Sequence, residues 1–262
     1  MTLTEYSLEG KRVLITGAGR GIGKGIALVV AEAGADVAVT GLTPTGVGRV
    51  AEAVAAFGRR GVPLVCDATK QEEMDRLSAQ VLEKLGALDV LINCVGDAIL
   101  GPVAVRPDKE GAAMTQADWQ RIVDINLTEA FLGCRAFGPH LLAQRKGSVI
   151  NISSYAAVRA SALRSAYDAA KAGLAQFTRC LALEWAPYDV RVNAIAPGQF
   201  PDPEQLSVGD MRRRQEQAAK QVPLRRVGQL REVGLLAAYL ASDASAYVTG
   251  QQFVIDGGQS IA

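Results

Sequence analysis

The sequence predicts an α/β fold: one doubly wound parallel sheet of about seven strands with helices on both faces. Three observations carry this. Short β-branched runs alternate with Ala- and Leu-rich helical stretches along all 262 residues. A glycine-rich turn, GAGRGIGKG, joins the first such run to the first helix. No linker, low-complexity tract or internal repeat breaks the alternation, so residues 1–262 are expected to form one domain.

The elements follow in order. Lys11 to Thr16 (KRVLIT) reads as the first buried strand, and the helix after the glycine turn runs to about Glu32, with Gly34 as its stop. Asp36 to Thr40 is the second strand. A helix near Gly46 to Phe57 leads to the third strand, Val62 to Cys66, which ends at Asp67. Gln71 to Leu85 is helical and Asp89 to Asn93 is the fourth strand, ending in NCVG. Asp97 to Thr115, with Pro102 and Pro107, is irregular, and a long helix runs from Asp118 to roughly Leu142. Ser148 to Ser153 is the fifth strand, Ser165 to Ala186 a helix stopped by Pro187, and Val190 to Ala196 the sixth strand, broken by Pro197 and Gly198. Gln199 to Gln221 is polar and is expected to be a mobile flap over a helix. Leu230 to Leu240 is helical and Phe253 to Ile255 is the last strand.

Bulk properties narrow the function. Hydrophobic residues are 49% and charged residues 21%, an ordinary balance for a packed core. The net charge of +1 gives no general attraction to nucleic acid or anionic membrane. No apolar run is long enough to span a bilayer, and the start MTLTEYSLEGKR lacks a signal-peptide core. Cys66, Cys94, Cys134 and Cys180 show no metal or CxxC spacing, so reduced thiols in a cytoplasmic protein are expected. His140 is the only histidine, which argues against a histidine triad and a multi-histidine metal site. No metal is expected.

A strand, glycine turn and helix in succession aim backbone amides and a helix N-terminus at a diphosphate. The spacing is G-x-x-x-G-x-G, from Gly17, Gly21 and Gly23. In such units a carboxylate after the second strand binds the adenosine ribose. Here Gly41 and Leu42 follow it, and Arg20 stands inside the glycine turn. A missing acid and a present base favour NADP(H) over NAD(H), with Thr43 or Thr45 able to serve either.

Tyr167 and Lys171 are four apart on a helix and share a face. A phenol ordinarily titrates near ~10, and a neighbouring ammonium pulls that value down, towards useful general acid–base work. Ser154 ends a strand and can hydrogen-bond a substrate oxygen. Tyr and Lys at this spacing are common on helices, so the pair alone decides nothing. Asn126 inside a helix is disfavoured and asks for a special role.

The pieces TGAGRGIG, Asp67, NCVG, DINL around Asn126, Ser154, YDAAK, Pro197-Gly198 and YVTGQQFVIDGG occur in this order. In them the chain resembles the short-chain dehydrogenase/reductase family over nearly its full length, including its 3-oxoacyl-ACP reductase-like and alcohol dehydrogenase members. The resemblance implies a hydride transfer between a nicotinamide cofactor and a secondary alcohol or ketone. Tyr167 would be the acid or base, Lys171 would tune it and hold the nicotinamide ribose, Ser154 would hold the substrate carbonyl, and Asn126 would anchor a relay water. Gly17, Arg20, Gly21, Ile22 and Gly23 would line the cofactor, with Asp67 and Ala68 by the adenine. Asn93, Gly96, Pro197, Gly198 and Phe200 would lie along it. A homotetramer or homodimer is implied too, and Leu174, Phe177, Leu181 and Trp185 at 3-4 spacing suit either a helix-pair interface or an inner face.

Three features depart from the family pattern. Val95 replaces a small residue in the turn after the fourth strand. Asp202 stands where a Thr near the carboxamide is common, so it can accept but not donate. The connection from Gly96 to Trp119 is long. Arg106, Arg159, Arg164 and Arg212 to Arg214 could meet an anionic substrate such as a sugar acid or an acyl thioester carrier, or could simply be solvated. Leu100, Val103 and Phe200 would suit an apolar ketone. The rival reading is a non-catalytic nucleotide-binding or regulatory protein on the same fold.

Overall fold

A computed structural model describes residues 3–105, 107–108 and 110–262. Its seven strands are β1 (Arg12–Ile15), β2 (Asp36–Gly41), β3 (Gly61–Val65), β4 (Val90–Asn93), β5 (Gly147–Ile152), β6 (Val190–Pro197) and β7 (Gln252–Ile255). All pair in parallel, in the order β3-β2-β1-β4-β5-β6-β7. Strand residues feed the two faces alternately, as the pleat requires. Val13 and Ile15 pack on one side with Ile26, Val30 and Val233, while Leu14 packs on the other with Met74, Leu77 and Phe137.

The first face is covered by α1 (Gly21–Glu32), α2 (Pro44–Ala55) and α8 (Leu230–Ala241), and the second by α3 (Gln71–Leu85), α5 (Glu129–Gln144) and α6 (Ser165–Trp185). α4 (Gln116–Val123) runs into α5 through a π-helical turn at Asp124–Thr128, so the expected long helix is present but wound looser at Asn126. Thr115 caps it in a reciprocal pair with Asp118. Helix α2 begins two residues earlier than expected because Pro44 sits in its first turn, where a missing N–H is harmless.

Arg12 and Asp89 tie the starts of β1 and β4 together, with the carboxylate accepting from the Arg12 main chain (2.9 Å) and guanidinium (2.7 Å). Most of the stretch expected as a flap is helix α7 (Val208–Gln221), capped by the Ser207 hydroxyl, leaving 199–207 as the non-helical part. On α6, Leu174, Leu181 and Trp185 are buried in this chain's own core, and Phe177 stacks edge-on against Phe131. The 3-4 stripe is therefore an inner face. No helix is long and apolar enough to cross a membrane among the described residues.

Candidate active site

The sheet order reverses direction between β1 and β4, and in open α/β sheets the crevice at that switch point receives ligands. The glycine turn after β1 forms one wall. Gly17 has φ +65°, and a Cβ there would come 3.1 Å from the Cys94 carbonyl oxygen and from Val95. A Cβ on Gly23 would lie 2.6 Å from the Gly17 carbonyl oxygen, so the turn closes onto α1 only with glycine at both places. Val95, the bulkier residue in the NCVG turn, packs directly against Gly17.

The amides at the start of α1 already hold an anion. Gly21 N–H donates to the Asp202 carboxylate at 2.8 Å, and Lys24 one turn on pairs with Glu204. The family pattern would set residue 202 near a carboxamide. Instead, the 199–207 loop lies over the glycine turn, with Asp202 reaching the helix N-terminus. This carboxylate is the stand-in for an anion at the positive helix end, the chemistry a diphosphate would use there. Ile22 packs against the core behind the turn, and Arg20 is exposed, its side chain making no hydrogen bond or ion pair among the described residues.

Other expected cofactor positions line up along the strand ends. Asp67 is half-buried, its carboxylate engaged by the Thr69 amide (3.0 Å) and hydroxyl (2.7 Å), with Ala68 buried beside it. Asn93 turns its side chain away from the crevice into the core, donating to Asn151 at 2.8 Å; only its main chain remains at the strand end. Pro197 ends β6 and Gly198 N–H donates to Ile255 at 2.9 Å. Phe200 packs against Gly228, where a Cβ would fall 2.3 Å from its ring, so this ring is held in place rather than free for a substrate.

Ser154, Tyr167, Lys171 and Asn126 meet across the crevice. The Ser154 hydroxyl follows β5, accepts from Ala156 N–H at 3.1 Å and is buried. Lys171 is 2% exposed, donates from Nζ to the Ile152 carbonyl at 2.9 Å, and lies 5.9 Å from the Tyr167 ring centre. Asn126 Nδ2 donates to the carbonyls of Asp97 (2.7 Å) and Ile122 (2.9 Å), and this fixes the π-turn. Gly96 separates Asn126 from Lys171. A Cβ there would lie 3.1 Å from Asn126 Oδ1 and 3.3 Å from Lys171 Nζ.

The charges differ from the simple sequence argument. Burial draws the Lys171 ammonium down to about 8, against the opposing pull of Glu129 and Cys94. Burial pushes the Tyr167 phenol up, and a hydrogen bond with Ser154 and the Arg164 guanidinium pull it back. In this structure the phenol therefore stands above its ordinary value, because desolvation outweighs its polar neighbours. Glu129 was not singled out from sequence. It is fully buried, and burial raises it to about 8 against the opposing pull of Lys171 and the Thr16 side chain. Its only sequence signal is a glutamate three residues past Asn126, on the same helix face.

The arginines considered for an anionic substrate are mostly engaged. Arg159 donates to the Gln259 carbonyl, Arg164 to the Tyr155 hydroxyl at 2.9 Å, and Arg212 and Arg213 pair with Glu216 and Asp210 on α7. Arg214 is exposed, and Arg106 lies outside the described residues. His140 accepts from Leu88 N–H and is structural. Leu100 and Val103 are exposed.

A parallel sheet with a glycine cradle at its switch point and a Ser, Tyr, Lys constellation beside it defines a dinucleotide-type oxidoreductase fold. The model of the family described as Enoyl-(Acyl carrier protein) reductase matches residues 17–260. The chain is 34% identical to the 3-oxoacyl-(acyl-carrier-protein) reductase FabG of Thermotoga maritima, over 96% of this chain and 98% of that one. It is also 34% identical to the 2-dehydro-3-deoxy-D-gluconate 5-dehydrogenase of Bacillus subtilis, over 97% and 96%. The solved structure of a 7 alpha-hydroxysteroid dehydrogenase complexed with NADH and 7-oxo glycochenodeoxycholic acid superposes with a TM-score of 0.88, with 29% identity over 98% of both chains. The chain belongs to the short-chain dehydrogenase/reductase family, and it is an oxidoreductase of that family.

Proposed function

We propose that this protein reduces a ketone, or oxidises the matching secondary alcohol, with Tyr167 as the proton donor or acceptor and NADP(H) as the preferred cofactor. The observation that carries the reading is the meeting of Ser154, Tyr167, Lys171 and Asn126 at the mouth of one crevice, around Gly96. The nicotinamide, when bound, supplies or accepts the hydride. The chain's own residues do the rest. Ser154 holds the substrate oxygen next to the Tyr167 hydroxyl. Tyr167 gives its proton to that oxygen in reduction and takes it in oxidation. Lys171, held by Ile152, anchors the ribose and biases the phenol towards its charged form. Asn126 opens the path by which Lys171 exchanges protons with solvent.

Cofactor choice rests on Gly41 and Leu42, which offer no acid to a ribose hydroxyl, and on the unpaired Arg20, which suits a 2′-phosphate. Equal similarity to an acyl-carrier reductase and a sugar-acid dehydrogenase leaves two substrate classes in front: 3-oxoacyl thioesters and oxidised sugar acids. The first is put forward because the family model that matches is itself described by an acyl-carrier substrate. A homotetramer or homodimer and a cytoplasmic location follow from the family reading alone. Turnover of NADPH and NADH with a 3-oxoacyl thioester, a keto sugar acid and an uncharged cyclic ketone tests this. Faster consumption of NADPH with the thioester is expected, and a rate with NADH above that with NADPH overturns the cofactor assignment.

A further inference from the structure

Arg164 has no part in the scheme above, yet it touches the residue at its centre. It precedes α6, and its side chain is only 20% exposed. The guanidinium carbon lies 4.9 Å from the centre of the Tyr167 ring and 5.5 Å from that of Tyr155. One nitrogen donates to the Tyr155 hydroxyl at 2.9 Å, and Nε stands 3.5 Å from Asp168. The guanidinium is thus clamped between two phenol rings, beside the two residues that follow β5 and open α6.

We propose that Arg164 is a positioning residue for proton transfer at Tyr167: its guanidinium lies over the phenol ring as a permanent positive charge, held there by Tyr155 and Asp168. This rests on the reading of Tyr167 as the acid or base. A cation over an aromatic face is attracted to the ring and favours a developing phenolate. Lys171 cannot supply this alone. It sits buried, and burial pulls its ammonium below its ordinary value. A guanidinium keeps its charge throughout. The two cations divide the work: Lys171 holds the ribose and passes protons, and Arg164 supplies a fixed positive charge at the Tyr167 ring.

The other groups facing Tyr167 set the sign. Ser154 and Arg164 favour the phenolate, and Asp168 and Tyr155 oppose it. Behind Lys171 stand Glu129 and Cys94, which favour its ammonium. Removing Arg164 leaves Asp168 unopposed over the phenol, so phenolate forms only at higher pH.

The test is the pH profile of kcat for oxidation of an uncharged secondary alcohol in wild type, Arg164→Gln, Arg164→Lys and Asp168→Asn. Arg164→Gln is expected to move the rising limb up by about one pH unit, with about a tenfold loss at neutral pH that recovers in alkali. Its KM should hold, Arg164→Lys should restore most of the profile, and Asp168→Asn should move it down. A uniform loss with an unmoved profile would make Arg164 merely structural. A rise in KM confined to anionic substrates would make it a substrate residue. Either overturns the proposal. Should Arg164→Gln fail to fold, Arg164→Met, which keeps the apolar stem and removes the charge, must show the same upward shift. Full turnover in Tyr167→Phe would instead sink the functional reading itself, which separates the two failures.

Discussion

Tyr167 and Lys171 show what single residues contribute and what their surroundings change. The i, i+4 spacing was enough to place both on one face, because helix geometry is local. Their charge states were not legible, since these depend on how deeply α6 is buried against β5. Glu129 illustrates the same limit: a glutamate inside a helix reads as surface until the sheet covers it. Gly96 carries a sharper consequence. Gly96→Ala is expected to crowd Asn126 Oδ1 and Lys171 Nζ, costing about tenfold in kcat and weakening NADPH binding with it. Steady-state kinetics beside a cofactor titration checks this; unchanged kcat would contradict it. Asp89 makes a second residue-scale prediction. Burial raises its carboxyl, but the Arg12 hydrogen bonds outweigh this and hold it below its ordinary value. A depressed folded value means stability that is present above the unfolded carboxylate range and is lost as pH falls through the folded value. Asp89→Asn should therefore cost about 2 kcal/mol at neutral pH. The gap to wild type should close in strong acid, as followed by thermal unfolding across pH.

At the scale of elements, strands and helices were legible within a residue or two because their periodicity and breakers are written locally. The π-turn at Asn126 is visible in the sequence only as an oddity, an asparagine inside a helix; its amide reaches the carbonyl of Asp97, which the sequence does not place nearby. Least legible was the loop at 199–207. Asp202 meets Gly21 across 181 positions, a pairing no local pattern announces. That contact has a consequence for binding. A diphosphate and the Asp202 carboxylate compete for the same positive helix end, and two anions there repel. Asp202→Asn keeps an acceptor for Gly21 and removes the charge. It is expected to tighten NADPH binding by about tenfold, roughly 1.4 kcal/mol, in a fluorescence titration. Weaker binding would mean that Asp202 holds the cofactor instead of yielding to it.

At the scale of the whole molecule, the parallel sheet gathers the site. Gly17, Asn93, Ser154 and Pro197 all lie at or just beyond strand C-terminal ends, so residues far apart in the chain converge on one crevice by topology alone. This much followed from alternation of strands and helices. Association did not. The α6 stripe suited an interface as well as a core, and burial of Leu174, Leu181 and Trp185 assigns it to the core. Substrate class is likewise written in tertiary contacts, since arginines that look available in the sequence are engaged in the fold. The central claim is that a nicotinamide cofactor binds in this crevice and that Tyr167 moves the proton. Its most direct test is NADPH consumption with a carbonyl substrate in wild type and Tyr167→Phe, with cofactor binding recorded on the same samples. Equal NADPH binding and at least a hundredfold loss of turnover are expected in the variant, of the order for a lost general acid. Turnover that survives in Tyr167→Phe with binding intact would contradict it.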